Sequence, residues 1–186
     1  MRAVRLTGER VIVRPADARD VPSIVAFYRR NRRHFAPWEP VRAAGFFTAA
    51  HWRKQERADR ADARAQRSLR MFLFERARPE RVIGTVSFSN FVRGSFHACH
   101  LGYALDEQSQ GRGLMTEALD LAIEHAFGVM NLHRIMANYV PRNRRSARLL
   151  GRLGFRIEGR AKEYLLIAGR WQDHVLTSRV NRSWRP

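Results

Sequence analysis

The chain has 186 residues, the size of one ordinary domain, and 45% of them are hydrophobic, enough for a sizeable core. Its one cysteine, Cys99, excludes an intrachain disulfide and a cysteine-rich zinc site, and its place in an apolar run predicts a buried, inert thiol. We find no apolar stretch long enough to span a membrane and no signal-peptide core. We therefore expect one domain over residues 1–186, a cytoplasmic location and no membrane partner.

The net charge is strongly positive, at +18, because the chain has 35 lysines and arginines and only 17 acidic residues. All but two of the basic residues, Lys54 and Lys162, are arginines, so compositional bias is one explanation. The other is a partner rich in phosphate, since a basic surface speeds encounter with nucleic acid and adds salt-sensitive affinity. Both explanations stay open from the sequence.

The pattern of residues 11–67 predicts one strand and two helices. Alternating apolar residues indicate a short strand at 11–13. Asp17 is a candidate N-cap for a helix that reaches about residue 31. Thr48 is a candidate N-cap for a second, charged helix over 49–67. Between the helices, two prolines and two large aromatic residues in 31–40 predict a packed loop.

The pattern of residues 71–180 predicts mostly strands. Apolar runs at 71–74 and 82–88 indicate an antiparallel hairpin with its turn at 78–80, and a turn at 92–95 leads to a strand that ends near Leu105. A helix follows from Leu114. The last elements are a strand at 134–139, a helix from Asn143 that Gly154 closes, and a hairpin of 155–167 and 171–180 with a bulge at Gly159.

The segment 108–116 has the order that a phosphate cradle requires: an apolar strand, a glycine loop and a helix. Gly111 and Gly113 allow backbone conformations in which successive N–H groups turn toward an anion, and the helix from Leu114 adds unpaired N–H groups and the positive end of its dipole. Neither the dinucleotide-binding fingerprint nor the Walker A spacing is present.

The pattern that is present, Q-x-x-G-x-G, resembles the acyl-CoA pyrophosphate loop of the GNAT N-acetyltransferases. A second resemblance to that superfamily lies downstream, in the N-x-x-S pattern of Asn143 and Ser146 and the L-G-F of 153–155. Further segments resemble the RimJ/RimL group of ribosomal-protein N-acetyltransferases, in particular those specific for alanine. These segments are 32–42, 88–99, 101–103, 111–115, 133–139 and 162–167.

The resemblance covers nearly the whole chain and implies the GNAT fold. That fold is a mixed α+β domain with a central, mostly antiparallel twisted sheet, flanking helices and a diverging strand pair for acetyl-CoA. It implies an enzyme that transfers the acetyl group of acetyl-CoA to a protein's N-terminal α-amino group. The implied acceptor is the N-terminal alanine of the fifth small-subunit ribosomal protein, and ribosome or rRNA association through the basic surface would fit. Other members acetylate other amines, so the acceptor depends on pocket residues.

The resemblance also implies which residues hold the cofactor. Strand edges of the diverging pair would bind the pantetheine arm, and loop N–H groups would bind the pyrophosphate. Gln108 could bond the cofactor or brace the loop, and Arg112 could contact phosphate or only solvent. The cofactor-binding residues expected in this way are Tyr103, Ala104, Leu105, Gln110, Gly111, Arg112, Gly113, Leu114, Met115, Thr116, Asn143 and Ser146.

Two catalytic roles are expected. Many superfamily members place a tyrosine that protonates the departing thiolate where this chain has Leu150, so Ser146, four residues earlier on the same helix face, is the candidate replacement. An N-terminal amine needs only a weak base, because its reference pKa is about 7.7 to 8.0. By family topology that base is Glu163, with Glu39 as the alternative.

For the acceptor pocket we expect Phe35, Trp38 and Glu39, although the two aromatic residues would serve equally well as core. Asn143 and Ser146 are also ordinary capping residues. We expect no metal, because the histidines show no H-x-x-x-H pair. Two other functions remain open: a small-molecule amine N-acetyltransferase, and a non-catalytic ribosome- or RNA-binding protein, against which the intact glycine loop argues. The sequence does not determine the oligomeric state.

Overall fold

The computed structural model describes residues 4–186, so the first three residues of the expected 1–186 domain lie outside the described part. Eight strands form one sheet. They are β1 (Leu6–Thr7), β2 (Val11–Arg14), β3 (Leu69–Glu75), β4 (Arg78–Val92), β5 (Ala98–Leu105), β6 (Arg134–Met136), β7 (Arg156–Ile167) and β8 (Arg170–Val180). The helices are α1 (Val21–Arg30), α2 (Arg32–Phe35), α3 (Ala49–Arg64), α4 (Leu114–Gly128) and α5 (Arg144–Arg152), with short 3-10 turns at Ala18–Asp20, Ala44–Phe47 and Glu107–Ser109.

The strands lie in the order β1-β2-β3-β4-β5-β6-β8-β7. Every neighbouring pair is antiparallel except β5 and β6, which run parallel. This is the mixed, mostly antiparallel sheet that the resemblance implied. The parallel pair lies in the middle of the sheet and joins its two antiparallel halves.

Two hydrophobic cores cover the two faces of the sheet. The first packs α4 and α5 against β2 to β6, with Leu119 of α4 and Leu150 of α5 almost fully buried. The second packs α1 and α3 on the opposite face, where Tyr28 and Trp52 stack at 4.8 Å. We refer to the α4 side as the first face and the α1 side as the second face. α1 and α4 thus cover the sheet with apolar residues that recur at helical spacing.

Cys99 lies in the first core, fully buried, as the sequence predicted. Burial raises the pKa of its thiol to about 12, with Arg93 opposing this only in part. A thiol that stays protonated is a poor nucleophile, so the structure fits an inert role.

Helix caps agree with the sequence prediction. The Asp17 side chain accepts from the Arg19 backbone N–H and begins the turn that leads into α1. Thr48 accepts from the His51 N–H at the start of α3, and Asn143 accepts from the Ser146 N–H at the start of α5. These caps are local, which explains why a sequence pattern finds them.

Several expected element bounds were wrong, among them the end of α3, which lies at Arg64 rather than at 67. Residues 32–35 form the short helix α2 rather than loop, because the prolines come only afterwards, at 37 and 40. The β3–β4 turn is at 76–77, and β4 begins at Arg78; Pro79, which has no N–H to donate, lies where the ladder shifts register. Strand β6 ends at Met136, since beyond it only a single bridge joins Tyr139 to Val175.

The closing hairpin was predicted correctly. β7 and β8 join through Ala168 and Gly169, both with positive φ, as a two-residue hairpin turn requires. The register shifts between Ile157 and Gly159, which confirms the predicted bulge. At the hairpin tip the Ala168 N–H donates to the Glu39 carbonyl at 3.0 Å, which fixes the tip against the segment after α2.

Candidate active site

The site begins where β5 and β6 part. Their parallel pairing covers three positions and ends at the pair of His100 with Met136. β5 continues to Leu105 and pairs there only with β4. Over the described residues, the edge of β5 that faces β6 is therefore open from 101 to 105, so its N–H and C=O groups are free to pair with an extended, amide-bearing ligand.

The glycine loop lies at the end of this open edge. Gly111 and Gly113 have φ values of +76° and +75°, in the left-handed region that favours glycine. Gly113 is the N-cap of α4 and offers no side-chain acceptor, so the first N–H groups of the helix have no capping side chain. The loop thus presents N–H groups and the positive end of a 15-residue helix to an anion.

Side chains from distant segments hold the loop in place. The side-chain amide of Gln110 has two partners. Its Nε2 lies 2.8 Å from His34 Nε2, and its Oε1 accepts a hydrogen bond from Arg145. Gln108 accepts from Arg81 at 3.4 Å, which fits the bracing role. Arg112 turns away to Glu75, at 2.5 Å, so its charge neutralises a buried carboxylate.

A cavity of about 1120 Å³ runs from the glycine loop along the open edge of β5 to the segment after α2 and the β7–β8 hairpin. It brings most of the expected site residues together. Those that line it are Phe35, Trp38, Glu39, Tyr103, Ala104, Leu105, Gln110, Gly111, Gly113, Leu114, Met115, Thr116, Asn143 and Ser146. Two do not line it: Arg112, and Glu163, which is exposed on β7 and whose N–H donates to Asp173.

Tyr103 and Ser146 meet in this cavity. The Tyr103 phenolic oxygen lies 2.6 Å from Ser146 Oγ, and either group can donate. Burial raises the pKa of Tyr103 to about 12, although the bond to Ser146 opposes the rise. The phenol therefore remains protonated at neutral pH and can donate a hydrogen bond, either to Ser146 or to a ligand.

Helix α5 explains why Ser146 is available. The Asn143 side chain caps the helix by accepting from the Ser146 N–H at 3.1 Å, which leaves the Ser146 hydroxyl free to face Tyr103. Leu150, at the position where many relatives carry tyrosine, is buried in the first core. In this chain a hydroxyl from β5 thus lies beside the serine of α5.

The far end of the cavity is aromatic and carries one carboxylate. Phe35 belongs to the second core and also lines the cavity. Trp38 lies under the Arg142 guanidinium, with Cζ 5.4 Å from the ring centroid. Glu39 accepts from Arg42 through Oε2 at 3.1 Å, and its side chain is 20% exposed.

Sequence reasoning missed several lining residues. α5 and the segment before it carry arginines that line the cavity, and in residues 4–186 the side chains of Arg144, Arg148 and Arg152 form no salt bridge or hydrogen bond. Their 4-residue spacing along one helix was the available signal. His34 and His174 also line the cavity, and only long-range packing brings them there.

A second hollow of about 680 Å³ lies on the outer side of the glycine loop. Its wall carries three carboxylates of α4, from Glu117, Asp120 and Glu124. Negative walls disfavour a pyrophosphate, so the larger, arginine-lined cavity suits an anionic cofactor better. Within residues 4–186 the structure has no cluster of three potential metal ligands, and none of its helices is long and apolar enough to cross a membrane.

The diverging strand pair, the glycine loop and the cavity that joins them define an acyl-CoA-dependent transferase. The profile of the acetyltransferase (GNAT) domain matches residues 10–156. The chain belongs to the GNAT acetyltransferase family, whose co-substrate is acetyl-CoA.

Two relatives are similar over nearly the whole length. The chain is 45% identical to the ribosomal protein uS5-alanine N-acetyltransferase of Escherichia coli (strain K12), over 98% of this chain and 94% of the relative. The crystal structure of ribosomal-protein-S5-alanine acetyltransferase from Vibrio fischeri superposes with a TM-score of 0.93 at 42% identity, covering 98% of this chain and 100% of that one.

A second similar structure contains a cofactor derivative. Mycobacterium smegmatis RimJ in complex with CoA-disulfide superposes with a TM-score of 0.86 at 28% identity, and the match covers 96% of this chain and 86% of that one. The expected fold and the expected family are thus confirmed.

Proposed function

We propose that this protein, in the cytoplasm, transfers the acetyl group of acetyl-CoA to the α-amino group of an N-terminal alanine on a small-subunit ribosomal protein. The supporting observation is that one cavity connects the glycine loop, the open edge of β5 and the aromatic pocket at Phe35 and Trp38. Cofactor and acceptor can therefore meet at the Tyr103–Ser146 pair. The similarity to the E. coli relative supports the choice of acceptor.

The cofactor would lie along the loop and the open strand edge. Backbone N–H groups of Gln110 to Thr116 would hold the pyrophosphate, and the free arginines of α5 add positive charge on the same side. Backbone groups of Tyr103, Ala104 and Leu105 would pair with the amides of the pantetheine arm. That arrangement would put the thioester at the point where β5 and β6 part.

The Tyr103–Ser146 pair would stabilise the thiolate that leaves when the acetyl group is transferred. A phenol with a pKa of about 12 does not readily give its proton to a thiolate, whose conjugate acid has a pKa near 8.5. The pair therefore acts mainly through hydrogen bonds to the developing negative charge on sulfur. The two hydroxyl groups would take the role of the tyrosine that many superfamily members carry at the position of Leu150.

The acceptor would enter from the aromatic end. The rings of Phe35 and Trp38 would pack against the methyl group of alanine, and Glu39 would offer a carboxylate to the α-ammonium group. The hairpin tip at Ala168 closes over this segment through its bond to the Glu39 carbonyl. A pocket closed in this way would hold a terminal residue better than an internal one.

A basic face of α3 supports contact with ribosomal RNA. Arg53, Arg57 and Arg64 are exposed, recur on one side of the helix, and form no salt bridge with any residue in the described part of the chain. The opposite side of α3 buries Trp52 against the second core. The arginines are thus fixed on a rigid element and free to bind phosphates.

Intact-mass detection of acetylation on short peptides tests this function. The panel contains peptides with free N-terminal Ala, Ser or Met, an N-terminally blocked peptide with lysine, and spermidine. We expect an added acetyl group on the alanine peptide and none on the blocked one. Acetylation of spermidine with no peptide modified would replace this function with that of a small-molecule acetyltransferase.

A further inference from the structure

We propose that His174 is the general base that takes the proton from the acceptor's ammonium group. The assignment rests on the proposed function in one respect, namely that the acceptor is an amine. His174 lies on β8, is 4% exposed, and lines the cavity that contains the Tyr103–Ser146 pair.

The histidine is fixed in one tautomer. Its Nδ1 lies 3.0 Å from the Gln172 carbonyl oxygen. A carbonyl oxygen only accepts, so Nδ1 carries a hydrogen, and in the neutral ring Nε2 carries the lone pair. A neighbouring ring, that of Tyr164, lies 5.5 Å away and limits rotation of the imidazole.

Nε2 is the unpaired nitrogen of His174, a residue that lines the cavity. It has no hydrogen-bond partner among residues 4–186. An unpaired side-chain nitrogen that is fully buried would be an orphaned polar atom, and among residues 4–186 His100 Nδ1 is the one such atom. Nε2 of His174 is unpaired as well, so it is not fully buried. A lone pair that is held in place, unpaired and accessible from the cavity is what proton abstraction requires.

The other histidines nearby do not offer this arrangement. Both nitrogens of His34 have partners, since Nε2 meets the Gln110 amide and Nδ1 lies 3.9 Å from Glu107. His34 is therefore a positioning residue for the loop. His100 does not line the cavity, and its Nδ1 is buried.

The carboxylates are also less suited to the role. Glu39 lines the cavity, but its Oε2 already accepts hydrogen bonds from both Nε and Nη2 of Arg42. Glu163, the base implied by family topology, lies outside the lining. Glu107 lines the cavity with a side chain that is 69% exposed, beside the loop and not at the aromatic end.

Strand alternation places His174 and Tyr103 on different faces of the sheet. Val175 packs against the first core, and side chains alternate along a strand, so His174 points to the second face. Tyr103 packs against the first core together with α4 and α5. The base thus lies on the face of the sheet opposite to that of the thiolate-stabilising pair.

The proton balance is complete with this assignment. His174 Nε2 takes one proton from the ammonium group, and the freed nitrogen lone pair forms the C–N bond to the acetyl carbonyl carbon. The C–S bond breaks, and the electron pair stays on sulfur beside Tyr103 and Ser146. The nitrogen loses a second proton as the amide forms, so one proton reaches sulfur and the other passes from the imidazolium to solvent.

Steady-state kinetics of His174→Asn test the assignment, with His51→Asn on α3 as the matched control outside the cavity. We expect kcat for the alanine peptide to fall by about 100-fold or more, with the calorimetric Kd for acetyl-CoA unchanged within about twofold. Added free imidazole should restore part of kcat, which a merely structural role would not allow. His174→Gln serves as the second variant if the first fails to bind acetyl-CoA.

Either of two results overturns the assignment. One is a wild-type kcat for both His174 variants, and the other is a loss of kcat that imidazole does not rescue while Glu163→Gln or Glu39→Gln shows the larger loss. If the wild-type enzyme acetylates only spermidine, the proposed acceptor is wrong, and the same His174 comparison with spermidine as acceptor still tests the base.

Discussion

The Tyr103 phenolic oxygen lies 2.6 Å from Ser146 Oγ, although 43 positions separate the two residues in the chain. One comes from the open edge of β5 and the other from the first turn of α5. Their contact places two hydroxyl groups beside the gap in which the thioester would lie. No motif in the sequence pairs them.

Tyr103→Phe tests the pair. The substitution removes one hydrogen bond and keeps the ring that packs against the first core. We expect kcat to fall by about 10-fold, equivalent to about 1.4 kcal/mol, while affinity for acetyl-CoA is largely kept. Ser146→Ala should give a similar loss, and the double variant should lose less than the product of the two because they share one bond. Strictly multiplicative losses would show that the hydroxyls act separately.

Gly111→Glu should abolish acetyl-CoA binding. The change places an anion where the pyrophosphate would bind and requires a φ of +76° that non-glycine residues rarely adopt. Gly45→Glu is the control, because Gly45 has ordinary φ and nothing within 4 Å of an added Cβ. Isothermal calorimetry measures both variants. Retained affinity in Gly111→Glu would remove the loop from the cofactor site.

Arg112→Ala should destabilise the fold more than it weakens cofactor binding. Glu75 is 6% exposed and is bound by Arg112 and Arg78, so the substitution leaves it with one partner. We expect a loss of about 1 to 2 kcal/mol in the free energy of unfolding, below the full cost of an unpaired buried charge because Arg112 is half exposed. Urea unfolding of Arg112→Ala, Glu75→Gln and the double variant measures it, and additive losses would contradict the pairing.

The charge on α3 should control binding to ribosomal RNA. Changing Arg53, Arg57 and Arg64 together to Gln removes up to three phosphate contacts, so the slope of log affinity against log salt should decrease by about 2 to 3. The control changes three exposed arginines elsewhere, Arg156, Arg170 and Arg182. Filter binding over a salt series measures the slope. Equal effects of both triple variants would indicate general charge rather than a site on α3.

Glu158 should make stability depend on acid pH. Hydrogen bonds from Arg134 and Ser178 hold the pKa of its carboxyl below the ordinary value of 4.5. Because its pKa is lower in the folded state, the ionised carboxylate stabilises the fold at pH values above 4.5. This stabilisation is lost as the pH falls through the folded-state pKa. Glu158→Gln should therefore have a lower Tm than wild type at pH 7, with a smaller difference at pH 3.5. A difference that is independent of pH would exclude this carboxylate as the cause.

The sequence by itself determined the local features of this protein. Helix caps at Asp17, Thr48 and Asn143 and the glycine loop at 111–113 depend on residues within a few positions of one another, so their patterns are readable without a fold. The errors were at element ends, as at Pro79, where one missing N–H decides which residues can pair. The resemblance to the GNAT family came from the glycine loop, from the pattern of Asn143 and Ser146, and from further short segments such as 32–42 and 88–99.

Only the tertiary structure decided which side chains share the cavity. Tyr103 was expected to contribute its backbone, and its hydroxyl met Ser146 only because α5 packs across β5. His174 had no motif at all, and Glu163 was expected at the acceptor side yet is exposed beyond the cavity wall. Catalytic geometry depends on strand alternation and on contacts across many residues, and one register shift in β7 reverses which face a side chain takes.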